Sequence, residues 1–253
     1  MGLDIYAGTL TRYYARNWKT VAQQSAEASG MGYQVIRPSG EDDAVTDPVA
    51  IQLHIRQWSE AVSAALVMEG GQGQQPWIED NERPYYTNKP DWCALGVLQL
   101  FAACKQYGLP IPETIPRNWD PYKDETVLRA LNDPELNWSL FSSAVWWLPY
   151  EACFVFRGRS PVGTELTFGT VGLLKAELKV INQKSWNADE ETILRWEDTE
   201  GYPADGHMEN GVFVRDAANA EFAVESLAKF AFSIMYRATL FSLENRVPIL
   251  MDY

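Results

Sequence analysis

Cys93 stands two residues after Asp91, at the start of a stretch that is apolar nearly all round (Trp92, Cys93, Ala94, Leu95, Val97, Leu98). In the first turn of a helix, free N–H groups and the helix dipole lower a thiol pKa, which makes this cysteine a candidate nucleophile. A nucleophile needs a base, and His207 is the only histidine that follows it, so the pair would suit a cysteine hydrolase or transferase. Asp91 works against the thiolate, and the core-type neighbours favour a buried structural cysteine. Asp205, His207 and Glu209 alternate in a glycine-flanked segment, and all three are metal-ligand types, so zinc or manganese could be held if the backbone curls. His54 sits at the edge of the stripe formed by Ile51, Ile55 and Trp58 and is expected to pack there. Cys104 would lie about 16 Å along the helix from Cys93, beyond disulfide reach. Cys153, beside Phe154 and Phe156, is expected in the core.

Other chemistries leave no mark. Gly70-Gly71-Gln72-Gly73 follows a helix and precedes a loop, the wrong order for a phosphate or dinucleotide loop, and no Gly-x-Ser-x-Gly elbow occurs. No cofactor is expected. The ten tryptophans could line a sugar cleft, but their spacing fits helix and core faces.

Charge supplies the other functional signal. The net charge is −13, and residues 187–225 hold eleven carboxylates against Arg195 and Arg215 alone. Without a Lys/Arg stripe, a phosphate backbone or an anionic membrane would be repelled. The expectation is a non-catalytic binding protein, for instance of the immunity type, that meets a basic protein partner through Asp189, Glu190, Glu191, Glu197, Asp198 and Glu200. The cysteine enzyme is one alternative. Another is an oligomeric scaffold associating through Trp146-Trp147-Leu148-Pro149-Tyr150, residue types enriched at interfaces, although the same run could fill the monomer core.

The elements that must position these residues follow from periodicity. Leu3, Ile5 and Ala7 alternate with Asp4, Tyr6 and Gly8 as in a half-buried strand. Helices are expected over 18–29, from Asp47-Pro48 to near Gly70, over 91–107 up to Gly108, over 124–132, from Thr170 to near Trp186, and over 189–198. The longest, about 216–244, repeats apolar residues at Ala220, Val224, Leu227, Ala231, Ile234, Ala238 and Phe241 and should pack on the 91–107 helix. Strands are expected over 33–37, 151–157, 164–168 and 247–251, the last at a sheet edge because of Pro248. Residues 70–90, 109–121 and 201–211 read as loops. Mixed order without βαβ regularity implies a helix-rich α+β single domain, 1–253, around a small mixed or antiparallel sheet.

Trp92-Cys93-Ala94 resembles the start of the catalytic helix of CHAP-type cysteine amidases, in which a histidine follows in the chain. The opening Met1-Gly2-Leu3-Asp4-Ile5-Tyr6 resembles a group of bacterial cytoplasmic proteins to which no activity is attached. That resemblance implies a bacterial source. The opening residues lack the basic and apolar regions of a signal peptide, no stretch is long enough to span a membrane, and three irregularly spaced cysteines do not make a disulfide framework, so a cytoplasmic protein is expected.

Overall fold

The opening alternation forms strand β1 (Asp4–Ala7), but both of its faces are buried. In the computed structural model, which describes residues 2–32, 47–68, 76–203, 206–209, 212–215 and 221–252, Leu3, Ile5 and Ala7 enter one core and Tyr6 another. For 206–209 and 212–215 the description is of the backbone alone. The expected strand over 33–37 lies outside the described residues.

Strand β1 is antiparallel to both β2 (Tyr86–Asn88) and β10 (Ile249–Asp252), so the two ends of the chain meet inside one sheet. Strand β4 (Ala144–Leu148) pairs antiparallel with β10 and parallel with β6 (Glu165–Thr170), which forms a hairpin with β5 (Val155–Arg159). The order β2-β1-β10-β4-β6-β5 makes a mixed six-stranded sheet. Strand β10 is therefore interior and not an edge. Pro248 precedes the first paired residue, Ile249, so its missing N–H costs the ladder nothing, while its carbonyl accepts Gly8 N–H at 3.1 Å.

A layer of helices covers each face. On one side lie α4 (Trp92–Tyr107), α6 (Val171–Lys184) and α8 (Val224–Asn245), flanked by α5 (Glu125–Leu131) and α7 (Glu190–Thr199). On the other lie α1 (Leu10–Tyr14) and α3 (Pro48–Met68), packed on Tyr6, Trp146, Leu148, Phe168 and Leu250. The fold is a helix-rich α+β domain, with eight α-helices among the described residues.

Local chemistry sets the helix boundaries. Thr20 and Gln23 form a reciprocal capping box at the start of α2 (Val21–Ala28), Asp91 caps α4, Asp124 caps α5, Thr170 caps α6, and left-handed Gly108 ends α4. Helix α8 starts later than its apolar repeat suggests. Glu221–Ala223 form a short strand, β9, paired with β3 (Thr114–Pro116) in the proline-rich connector. The segment 201–211 likewise holds a strand, β7 (Gly206–Glu209), paired with β8 (Val212–Arg215). Cross-strand bonds formed β3, β7 and β9 where local composition read as loop or helix.

Helices α4 and α8 pack against each other at the centre of the larger core, and Leu227 and Ile234 are completely buried there. Ile234→Asp should therefore cost about 3 kcal/mol or more through an unpaired buried charge, and Ile234→Val about 1 kcal/mol. Urea unfolding of both variants measures this; a wild-type midpoint for the aspartate variant would contradict the packing.

Candidate binding site

The N-terminal half of α4 borders a cleft of about 430 Å³. Trp92, Cys93, Gly96 and Gln99 line it from the helix, Trp119 to Tyr122 from the connector, and Leu140 and Ser143 to Val145 from the approach to β4, with Trp147 and Met251 contributed by the sheet. Gly96 allows the connector to lie on the helix: a Cβ there would be 2.7 Å from Pro121 Cγ. Asp120 shapes the following 3₁₀ turn (Pro121–Lys123) by accepting Tyr122 N–H at 3.0 Å, and it pairs with Lys123 at 3.3 Å. Trp119 donates its indole N–H to Asp124 at 3.3 Å.

The opposite wall is held from behind by a buried carboxylate. Glu177 on α6 is 2% exposed and accepts the Ser139 and Leu140 backbone N–H groups and the Ser139 hydroxyl. Ser139 Oγ in turn accepts the Trp147 indole N–H at 2.8 Å, and Gln99 donates to the Leu140 carbonyl at 2.6 Å. One carboxylate thus anchors the 3₁₀ turn Ser139–Phe141 and, through it, the buried Trp147 ring that backs the cleft. Burial pushes Glu177 up to about 7, against the lowering effect of its three donors.

Cys93 faces this cleft half-buried, and desolvation raises its thiol pKa; Asp91 adds to that, while a hydrogen bond with Tyr202 opposes it. Tyr202 itself donates to Asp91 at 2.7 Å. The helix start therefore does not yield a thiolate at neutral pH. His207 and Glu209 lie two apart in β7, opposite Val214 and Val212, with only their backbone described, and Asp205 lies outside the described residues. No cluster of three metal-ligating side chains occurs among the described residues.

Two expectations are corrected. His54 is exposed and bonds the Pro161 carbonyl at 2.8 Å, because its position on α3 turns toward the β5–β6 loop and away from the core. Cys153 is exposed, because strand β5 begins two residues later, at Val155. Cys104 is buried, as a structural cysteine should be.

The six acidic candidates around α7 are mostly occupied. Asp189 caps the helix through Thr192 N–H at 2.8 Å, and Glu190 accepts the Tyr236 hydroxyl at 3.0 Å. Glu197 pairs with Arg237 at 2.9 Å and Glu200 with Lys229 at 3.6 Å. Glu191 and Asp198 are exposed. The aromatic run is interior: Trp147 and Leu148 are fully buried, Tyr150 is 2% exposed and Trp146 7%.

Sequence reasoning missed the cleft residues Trp119, Asp120 and Tyr122, and the buried Glu177 behind the wall. The available signal was Trp119-Asp120-Pro121-Tyr122, an aromatic and acidic cluster in an otherwise proline-rich connector. Comparison with known proteins yields no match, since no family model, curated protein or solved structure is significantly similar to the chain.

Two measurements test this geometry. With iodoacetamide at neutral pH, Cys153 should alkylate several-fold faster than Cys93, because one thiol is open and the other is half-buried and held protonated. Mass spectrometry of the alkylated peptides reads the order, and preferential labelling of Cys93 would restore the nucleophile. For Glu177, the folded pKa of about 7 lies above the ordinary 4.5, so its stabilising contribution is complete below about pH 4.5 and is lost as pH rises through 7. Relative to Glu177→Gln, the wild type should lose about 3 kcal/mol between about pH 4 and pH 8 in urea unfolding. A constant difference between the two across that range would refute the assignment.

Proposed function

We propose that this chain is a non-catalytic binding protein and that its ligand site is the cleft beside the start of α4. The observation that carries this is the cleft's composition: aromatic walls from Trp92, Trp119 and Tyr122, backed by the buried Trp147, with a few polar groups, in a volume of about 430 Å³. Small-molecule sites are typically apolar concavities of roughly this size with sparse orienting groups. The raised thiol pKa of Cys93 speaks against a nucleophile, so the cysteine serves as a small, weakly polar part of the lining.

A basic protein partner received by α7 has less support. Four of its six candidate carboxylates already satisfy the helix's own N–H groups or side chains on α8. A scaffold built on the 146–150 run would have to expose side chains that fill the core. Among the described residues, no helix is long and apolar enough to cross a membrane. Cys93, Cys104 and Cys153 are all free thiols, which fits a reducing compartment, and we place the protein in the cytoplasm.

The reading is tested by amide chemical-shift mapping with a set of small aromatic fragments, neutral and cationic. Saturable shifts confined to Cys93, Gly96, Ser143 and Val145 are expected. If no fragment moves these amides up to its solubility limit, the cleft is not a binding site.

A further inference from the structure

We propose that the cleft takes a small organic cation, a methylated or quaternary ammonium carried on an apolar body. This deepens the preceding reading and rests on it. The aromatic walls are the first ground. An ammonium over an indole or phenol face is attracted by the ring quadrupole, more strongly when both are desolvated.

The second ground is the orientation of the polar groups. The indole N–H of Trp119 is given to Asp124, so this half-buried ring offers the cleft carbon rather than a donor, and the N–H of the fully buried Trp147 is likewise taken up by Ser139. Gln99 likewise turns its amide nitrogen to the Leu140 carbonyl. No lysine or arginine is among the described lining residues, whereas Asp120 is. An anionic ligand would meet a carboxylate and no compensating charge. The ion pair of Asp120 is with a Lys123 side chain that is 83% exposed, and such pairs are weak in water, so the carboxylate keeps most of its attraction for a cation bound beside it.

The third ground separates methylated from primary ammonium. Asp120 already accepts Tyr122 N–H and pairs with Lys123, and beside it only the Ser143 and Tyr122 hydroxyls and the Gln99 amide add side-chain oxygen acceptors to the described lining, a sparse set for three ammonium N–H groups. A primary amine would surrender hydration it could not replace; a quaternary ammonium has no N–H to satisfy. The cleft volume of about 430 Å³ exceeds what a trimethylammonium head alone fills, which calls for an apolar body attached to it. The net charge of −13 raises the local concentration of cations.

The test compares benzyl(hydroxyethyl)dimethylammonium with its neutral isostere, in which carbon replaces the charged nitrogen, by tryptophan fluorescence and by the amide shifts of Cys93, Gly96, Ser143 and Val145. The cation should bind saturably and about tenfold or more tightly than the isostere. Trp119→Leu should weaken the cation about tenfold, and Asp120→Asn, which retains the turn-capping acceptor, several-fold, with little effect on the isostere. Urea midpoints confirm that the variants fold, and the charge comparison on the wild type stands even if Trp119→Leu does not. Equal affinity for both compounds, or preference for the neutral one, would overturn the cation assignment while leaving the cleft as a binding site. Binding of neither compound, while other fragments shift the same amides, would do the same; silence from every fragment would sink both readings. Tighter binding of a trimethyllysine peptide than of the benzyl compound would overturn the small-molecule assignment.

Discussion

A sheet buried on both faces is the constraint from which the rest of this structure follows. Neighbouring residues in the central strands point into different cores: Ile5 and Tyr6 in β1, Trp147 and Trp146 in β4, Ile249 and Leu250 in β10. Each face then requires its own helical cover, and the apolar surfaces of α4 and α8 supply most of one while α1 and α3 supply the other. Pairing the first strand with the last makes the sheet depend on contacts between the chain's extremes, the kind that lose most loop entropy and form late. The cleft lies where helical cover on the α4 side gives way to the connector, with Trp92, Trp119 and Tyr122 around it and the buried Trp147 and Met251 backing it.

Two buried carboxylates do the local positioning. Glu79 is fully buried and accepts Leu10 and Thr11 N–H at the start of α1, together with the Trp77 indole N–H. Glu177 does the equivalent for the turn at Ser139. In both, burial pushes the acid's pKa up while converging donors pull it down. A carboxylate has about four acceptor sites on two oxygens, whereas an amide of the same size has about two on one oxygen. Each therefore acts as an internal ligand for a chain reversal, and the Glu177 one is transmitted through Ser139 to the Trp147 ring at the cleft.

Most of the helices were legible from periodicity and caps because those signals are local. Asp47-Pro48, Asp91 and Thr170 all mark helix starts, α7 is capped by Asp189 rather than by the expected Asn187, and Leu227 and Ile234 lie on the face that the repeat assigns to the core. The short strands were not legible. Tyr86–Asn88, Thr114–Pro116 and Glu221–Ala223 have only three residues each, too few for an alternating pattern, and they exist because a partner distant in sequence completes their bonds. Pro248 was misleading for a related reason: proline excludes a position from a ladder, and one residue's shift in register removes the conflict. Cys93 was legible as an unusual residue, but its surroundings were not, since the connector, the turn before β4 and the end of β10 meet it only in three dimensions.

The acidic stretch shows why a charge count along the chain is a poor guide to a surface field. At the start of α7, Asp189, Glu190 and Glu191 face the positive end of the helix dipole, which accounts for their placement without any partner. Farther along, Glu197 and Glu200 meet Arg237 and Lys229, cations that belong to α8 and sit outside the acidic window. Charge that looks uncompensated in one segment is thus neutralised in part by the helix it packs on. What persists is the net excess of the whole chain, a field too diffuse to select a partner but of the right sign to favour cations. Selection then has to come from a site that removes the ligand from water. Within the described surface, the cleft beside α4 joins aromatic walls to a carboxylate and has no lysine or arginine in its lining.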